Sequence, residues 1–236
     1  MENKKLAFGR KKFVDNGEVT YKDKPYLSYS AINTWLHSPE QYRKQYFEGT
    51  PFIESPEILF GGKISRLLET HDESMAHILQ YSEPEHKLEC TIDGVPIFGF
   101  IDSYSPERHA FLEYKTGKQP WDQNRVNKHL QLDIYSLCIE HLYGHVEDTC
   151  HLIWMQTEQV DHKKEGRSTH ADSYSIRLTG QVQTFERTVT KDDRYAVREL
   201  IVRVAHEIDR DYRRFLEEKN NTKTASGRGG RVAARI

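Results

Sequence analysis

The chain has 236 residues, of which 36% are hydrophobic and 30% are charged. That length suits one domain with elaborations or at most two domains, and the apolar share is enough for a core beneath a heavily charged surface. The formal net charge of −2 does not by itself indicate a nucleic-acid-binding protein, although both ends of the chain are basic and the part between them is therefore acidic.

Two protein classes are excluded by the residue patterns. No stretch approaches about 18 consecutive apolar residues, which argues against a membrane span, and the first residues lack the apolar segment of a signal peptide. The three cysteines are too few and too scattered for a disulfide framework. We therefore expect a cytoplasmic protein.

The N-terminal quarter predicts a lead-in followed by two short helices. Residues 1–25 are polar and predict a loose or hairpin-like segment. Ser28 or Ser30 can cap a first helix, and Pro39 predicts the start of a second. Gly49 is expected to end that second helix.

A helix and three strands are predicted next. The stretch FGGKISRLLET (residues 60–70) predicts a helix with an apolar stripe formed by Ile64, Leu67 and Leu68. Asp93-Gly94 is a strong signal for a two-residue hairpin turn. The predicted strands are residues 86–93, 95–104 and 110–116.

The C-terminal half predicts two helices and two strands. The elements are a helix at 125–143, a strand at 149–157, an exposed or disordered loop at 160–172, a strand region at 174–190 and an amphipathic helix at 191–218. We divide the chain into the lead-in 1–25, a main domain 26–218 and a basic tail 219–236 that is expected to be disordered.

Two carboxylates and a lysine are expected to converge on the middle strands. Glu113 and Lys115 lie two positions apart and therefore point to one side of their strand, and a hairpin closing over residues 103–110 brings Asp102 beside them. Carboxylates suit Mg²⁺ or Mn²⁺, and a nearby lysine can orient water or neutralise phosphate charge. On spacing alone, a surface hairpin with a weak ion pair explains the pattern equally well.

Four motifs in a fixed order resemble the PD-(D/E)XK nucleases, and most of all their RecB-like exonuclease branch. The motifs are LSYSAINTWLHSPEQYRKQYFEG (residues 27–49), Asp102, Glu113-Tyr114-Lys115 and QLDIYSL (residues 131–137). Each motif is short, but the four together in this order are fairly specific. The resemblance covers roughly residues 26–158.

The resemblance implies a fold and a metal site. The fold is α/β, with a restriction-endonuclease-like core in which helices flank a mixed central sheet. Asp102 and Glu113, together with the Tyr114 carbonyl, would bind one or two Mg²⁺ or Mn²⁺ ions. Lys115 would position the attacking water.

The resemblance also implies residues on the neighbouring helices. Gln131 and Tyr135, which are helical i,i+4 neighbours, would orient the phosphate or the water network. In the resembling branch a Gly-x-x-x-His supplies a further metal ligand, but counting from Gly61 places Ser65 at the histidine position. Glu69, one helical turn further along, is a candidate ligand, directly or through water, and is equally an ordinary helix glutamate.

Other cofactors are not expected. The spacing of Cys138, His141, His145 and Cys150 matches no standard zinc site. An iron–sulfur cluster needs four cysteines, and Ser38 stands where the cluster-containing relatives have one of them. The chain has no Walker motif GxxxxGK[ST], so ATP use is not expected.

The sequence therefore predicts a metal-dependent deoxyribonuclease that hydrolyses phosphodiester bonds. We expect an exonuclease of phage or bacterial recombination or repair, with DNA as substrate and a recombination or replication protein as a candidate partner. Two alternatives stay open. One is a catalytically degenerate DNA-binding or partner-docking module, for which Ser65 is the first sign, and the other is an endonuclease acting on RNA or branched DNA.

Overall fold

Seven strands and six α-helices form in the computed structural model, which describes residues 6–15, 18–51, 53–144, 149–161 and 174–227. The strands are β1 (Arg10–Asp15), β2 (Glu18–Asp23), β3 (Glu83–Ile92), β4 (Val95–Ser105), β5 (Ala110–Gly117), β6 (Thr149–Asp161) and β7 (Tyr174–Thr188). The helices are α1 (Tyr29–His37), α2 (Pro39–Tyr42), α3 (Pro56–Glu69), α4 (Gln123–Asn127), α5 (Leu130–Tyr143) and α6 (Lys191–Gly227).

These elements belong to two units. The larger unit comprises Ile53–Cys90 and Phe98–Arg198, and the smaller unit comprises Met1–Phe52, Thr91–Ile97 and Glu199–Ile236. No helix in the described ranges is long and apolar enough to cross a membrane.

A five-stranded sheet in the order β3-β4-β5-β6-β7 organises the larger unit. β5 runs parallel to β6, whereas β4 pairs with β5 and β6 pairs with β7 in antiparallel fashion. The turn between β3 and β4 is the predicted Asp93-Gly94 pair, and both residues have positive φ angles, 47° and 83°. The sheet is therefore mixed, as predicted.

Helices cover both faces of this sheet. On one face, Ile64 and Leu68 of α3 pack into a cluster that includes Leu112 and Tyr114 of β5. On the other face, the ring of Phe111 lies against Tyr135 of α5, with 6.3 Å between the ring centroids. Successive β5 residues thus face different helices, because strand side chains alternate. This arrangement confirms the predicted α/β fold with a restriction-endonuclease-like core.

The smaller unit contains the β1–β2 hairpin, α1, α2 and most of α6. The Ser28 side chain caps α1 and the Ser38 side chain caps α2, with Pro39 in the first turn of α2. A π-helical turn (Arg43–Phe47) follows, and Gly49 then takes a positive φ of 77°. The predicted pair of short helices is therefore confirmed.

Three elements differ most from the prediction. The helix predicted at 125–143 is interrupted at His129, whose extended backbone (ψ 98°) separates α4 from α5. β6 continues to Asp161, since it pairs with Tyr174 of β7 at that end. α6 continues past residue 218 to Gly227, because residues 219–226 contain neither proline nor glycine.

Several predicted segments lie outside the described residues. They are the start of the lead-in (1–5), most of the predicted loop (162–173) and the end of the basic tail (228–236). The division of the chain into lead-in, main domain and tail stays a prediction.

A buried arginine of β7 ties the two helices after β5 to the sheet. Arg187, 5% exposed, pairs with Asp133 of α5 at 2.5 Å. It also donates hydrogen bonds to the carbonyl oxygens of Val126 (3.4 Å) and His129 (3.3 Å). One side chain therefore fixes the end of α4 and the start of α5.

We expect Arg187→Ala to lower the free energy of unfolding by about 3–5 kcal/mol, because Asp133 would remain buried without its partner. The matched control is Arg177→Ala on the same strand. Its side chain is 66% exposed in an ion pair with Glu158, so it should cost less than about 1 kcal/mol. Urea denaturation at pH 7 measures both, and equal losses would contradict the anchoring role.

Candidate active site

The site forms where β4 and β5 stop pairing. Their register covers three residue pairs, from Ser105↔Ala110 to Ser103↔Leu112. At the next position, the Asp102 side chain enters the space between the strands, and its Oδ2 accepts the Tyr114 backbone N–H at 2.7 Å. The Asp102 carboxylate thus takes the place of a backbone carbonyl that would accept the Tyr114 N–H in a regular β-ladder. The two strands separate at this point.

Glu113 and Lys115 point to the α5 side of the opening. The Lys115 ammonium donates to Glu113 Oε1 at 2.5 Å and to Gln131 Oε1 at 2.8 Å. Glu113 is only 3% exposed, and the Lys115 side chain is 26% exposed. The predicted convergence of carboxylates and lysine therefore occurs in a largely buried setting and not on an exposed hairpin.

Gln131 and Tyr135 extend this network along α5. The Gln131 amide accepts from Lys115 through Oε1 and donates through Nε2 to the Tyr135 hydroxyl at 2.9 Å. The Tyr135 ring fits above Gly99 of β4, where an added Cβ would lie 3.3 Å from the ring. Gly99 therefore makes room for Tyr135, and the structure brings together five of the predicted site residues.

The electrostatics of the site favour a proton or a cation. Burial raises the pKa of Glu113 to about 8, and the nearby Asp102 carboxylate raises it further against the opposing effect of Lys115. Burial also raises the pKa of Asp102, against the Tyr114 N–H and Lys115. Two carboxylates so close together cannot both ionise easily unless a positive charge joins them.

One oxygen of this pair has room for such a charge. Glu113 Oε2 is buried and accepts no hydrogen bond from a described donor group, and the polar neighbour of Glu113 besides Lys115 and Gln131 is the Asp102 carboxyl, with which it can share a proton. A buried carboxylate oxygen without a partner is costly, and a divalent cation would satisfy it. Asp102 and Glu113 thus fit a hard cation, with water or phosphate completing its coordination.

No third ligand joins them closely. Across the described ranges, no three His, Cys, Asp or Glu side chains are grouped tightly enough to hold a metal ion. Ser65 lines a cavity of about 290 Å³ beside Lys115, with Gly61 and Thr116 also in its wall. Glu69 is exposed and none of its described contacts reaches Asp102 or Glu113, so its role as a ligand stays a prediction.

A third carboxylate, Glu85 of β3, was missed by the sequence analysis. Its pKa is raised by burial and by the charges of Asp102 and Glu69. Its φ of 48° is left-handed, which is unusual for a non-glycine residue within a strand. Counting back from the Asp93-Gly94 turn pairs position 85 with position 102, so the hairpin register could have identified it.

The cysteines and histidines considered for zinc contact different partners. Cys138 of α5 interacts with Cys90 of β3, and the Cys150 thiol donates to the Arg187 carbonyl at 3.4 Å. His141 is exposed, and His145 lies outside the described residues.

The raised pKa of Glu113 predicts how stability depends on pH. The folded protein holds a proton that the unfolded chain releases near pH 4.5, so the free energy of unfolding should fall, by on the order of a few kcal/mol, as pH rises from about 4.5 to 8. Glu113→Gln should flatten this fall in metal-free buffer. The exposed Glu107→Gln serves as control, and a fall that persists unchanged in Glu113→Gln would contradict the assignment.

Comparison with known proteins identifies the family. The model of the PD-(D/E)XK nuclease superfamily matches residues 62–222. No curated protein shows significant sequence similarity to the chain. A structure from Eubacterium rectale, named provisionally as an exonuclease, is 13% identical with a TM-score of 0.44, covering 89% of this chain and 90% of that chain. A phage-related exonuclease from Haemophilus somnus 129PT is 12% identical with a TM-score of 0.43, covering 80% and 82%. The family match, which spans more than half of the chain, shows that this protein belongs to the PD-(D/E)XK nuclease superfamily.

Proposed function

We propose that this nuclease is a metal-dependent exodeoxyribonuclease. The observation on which the proposal rests is the buried Glu113 carboxylate. One of its oxygens is paired to Lys115, the other accepts from no described donor, and the Asp102 carboxyl lies beside it. Members of the superfamily are nucleases and generally use divalent metal ions. Mg²⁺ or Mn²⁺ is the ion that this pair of hard oxygen ligands would suit.

Asp102 and Glu113 would hold the metal, with the Tyr114 carbonyl as the third ligand. When bound, the ion would supply positive charge that stabilises the phosphate transition state and lowers the pKa of water. Glu113 must lose its proton before it can bind a cation, so metal affinity should rise with pH up to about 8. Asp102 is already oriented by the Tyr114 N–H.

Lys115 would position the attacking water and counter the charge that develops on the phosphate. Its ammonium is held between Glu113 and Gln131, so it is oriented before substrate arrives. Gln131 is oriented in turn by Tyr135, whose pKa is raised by burial so that its hydroxyl keeps its proton. Gln131 and Tyr135 would align the phosphate.

DNA and an exonucleolytic mode are proposed from the motif order that resembles the RecB-like branch. That branch also suggests a role in phage or bacterial recombination or repair, with a partner protein from those processes. The sparse cysteines suit action in the cytoplasm.

One observation favours a second candidate, a degenerate DNA-binding module. Ser65 lines the cavity beside Lys115, at the position where the resembling branch has a metal-binding histidine. A serine is a weaker ligand, so metal binding would rest on Asp102 and Glu113. Such a module would bind DNA and cleave nothing.

A cleavage assay tests the proposal. With Mg²⁺ or Mn²⁺, the native chain should digest linear single-stranded or duplex DNA and leave closed circular DNA intact. Lys115→Ala should lower the rate at least about a hundredfold, because the transition state loses a preorganised charge. Lys44→Ala, at an exposed lysine of the smaller unit, should leave the rate unchanged.

The other outcomes decide between the alternatives. Cutting of the closed circle would favour an endonuclease. Cleavage of RNA alone would show that the substrate is RNA and not DNA. Absence of cleavage by a folded protein that still binds DNA would favour the degenerate module. Full activity of Lys115→Ala would contradict the role assigned to that lysine.

A further inference from the structure

A tryptophan with an arginine stacked on it lies in the segment after β5. Trp121 is partly exposed, and the Arg125 guanidinium lies 3.8 Å from the centre of the indole ring. An arginine over an aromatic ring is a favourable cation–π arrangement. Together they present a flat, positively charged group at the surface of the larger unit.

This pair is connected to the catalytic lysine through side chains. The Trp121 ring meets His129 edge to face, with 4.9 Å between the centroids and 73° between the planes. The His129 side chain lies next to that of Gln131, whose Oε1 accepts from Lys115. Burial lowers the pKa of His129 to about 3, so the imidazole is neutral and adds no charge beside Lys115. Trp121 is thus three side-chain contacts from the proposed centre of the reaction.

The segment is held rigidly. Asp122 caps α4 by accepting the Arg125 backbone N–H at 2.7 Å. Val126 is fully buried, and Arg187 donates to the carbonyl oxygens of Val126 and His129. A preorganised surface loses little conformational entropy when it binds a ligand.

The segment that contains Trp121 carries a net positive charge. Lys118, Arg125 and Lys128 are exposed on this segment, and its one acid, Asp122, is engaged as the helix cap. This local excess of cations contrasts with a whole-chain charge of −2. Flat aromatic groups with nearby cations are the usual basis of single-strand recognition, because every base has a face that can stack.

We propose that Trp121 and Arg125 form a stacking site for an unpaired base of the DNA strand next to the scissile phosphate. A base inside a duplex is covered on both faces by its neighbours, so the site takes a base from single-stranded DNA or from a frayed end. The proposal rests on the proposed function for the nature of the substrate. The stacking itself is measurable without cleavage.

Tryptophan fluorescence provides the test. The chain has three tryptophans, and Trp35 and Trp154 are only 8% and 1% exposed, so quenching at the surface reports on Trp121. In EDTA, which prevents cleavage, a single-stranded oligonucleotide should quench the fluorescence saturably. A covalently closed circular duplex, which has neither ends nor unpaired loops, should bind without comparable quenching.

Variants of the site sharpen the result. Trp121→Leu should abolish the quenching and weaken binding of a labelled single strand roughly tenfold or more, whereas Trp121→Phe should retain most of the affinity. Arg125→Gln should make the slope of log binding constant against log salt concentration shallower by about one, because one phosphate contact is lost. Circular dichroism and Mn²⁺ binding, measured on each variant, separate loss of the site from loss of the fold.

The outcomes distinguish this inference from the proposed function. If the native chain binds and is quenched by single strands but cleaves nothing, the stacking site stands and the enzyme assignment fails. If the native chain cleaves DNA and folded Trp121→Leu binds and cleaves equally well, the stacking site is wrong. Equal quenching by the closed duplex, or no DNA binding at all, would also overturn it.

Discussion

The site depends on a carboxylate buried where two strands of a sheet separate. Glu113 lies 3% exposed on a central strand, and its charge is opposed by the loss of water and by Asp102. Lys115 compensates for part of this cost through one oxygen only. The site is thus strained electrostatically rather than sterically. A proton on Glu113 relieves that strain below about pH 8, and the proposed metal ion would relieve it at higher pH.

The surrounding fold keeps this opening in shape. The Asp102 side chain closes the end of the β4–β5 ladder by accepting the Tyr114 N–H, and Gly99 leaves space for the Tyr135 ring. Arg187 anchors the end of α4 and the start of α5, the helix that carries Gln131. Residues far apart in the sequence therefore hold Lys115 and Gln131 in one arrangement. The contacts that pack the strands and helices together are thus the same ones that position the charged groups of the proposed reaction.

Much of the fold could be predicted because local patterns coincide with its elements. The Asp93-Gly94 turn, the Ser28 cap, the helix start at Pro39 and the alternation along β5 all act over a few residues. The break at His129 could not, because the carbonyl oxygens of Val126 and His129 are held there by Arg187, which is distant in the sequence. Glu85 was missed for a related reason: its raised pKa comes from burial and from the charges of Asp102 and Glu69, and no motif includes it. The group around Asp102 followed from the motifs, whereas its burial needed the tertiary structure.

Calorimetric titration of Mn²⁺ at pH 7, in two buffers with different ionisation enthalpies, tests the central claim most directly. The account predicts binding that releases about one proton per protein, because the pKa of Glu113 is about 8 in the metal-free state. Glu113→Gln should lose both the binding and the released proton, and Glu107→Gln should keep them. Mn²⁺ binding without proton release, and unchanged in Glu113→Gln, would contradict the account.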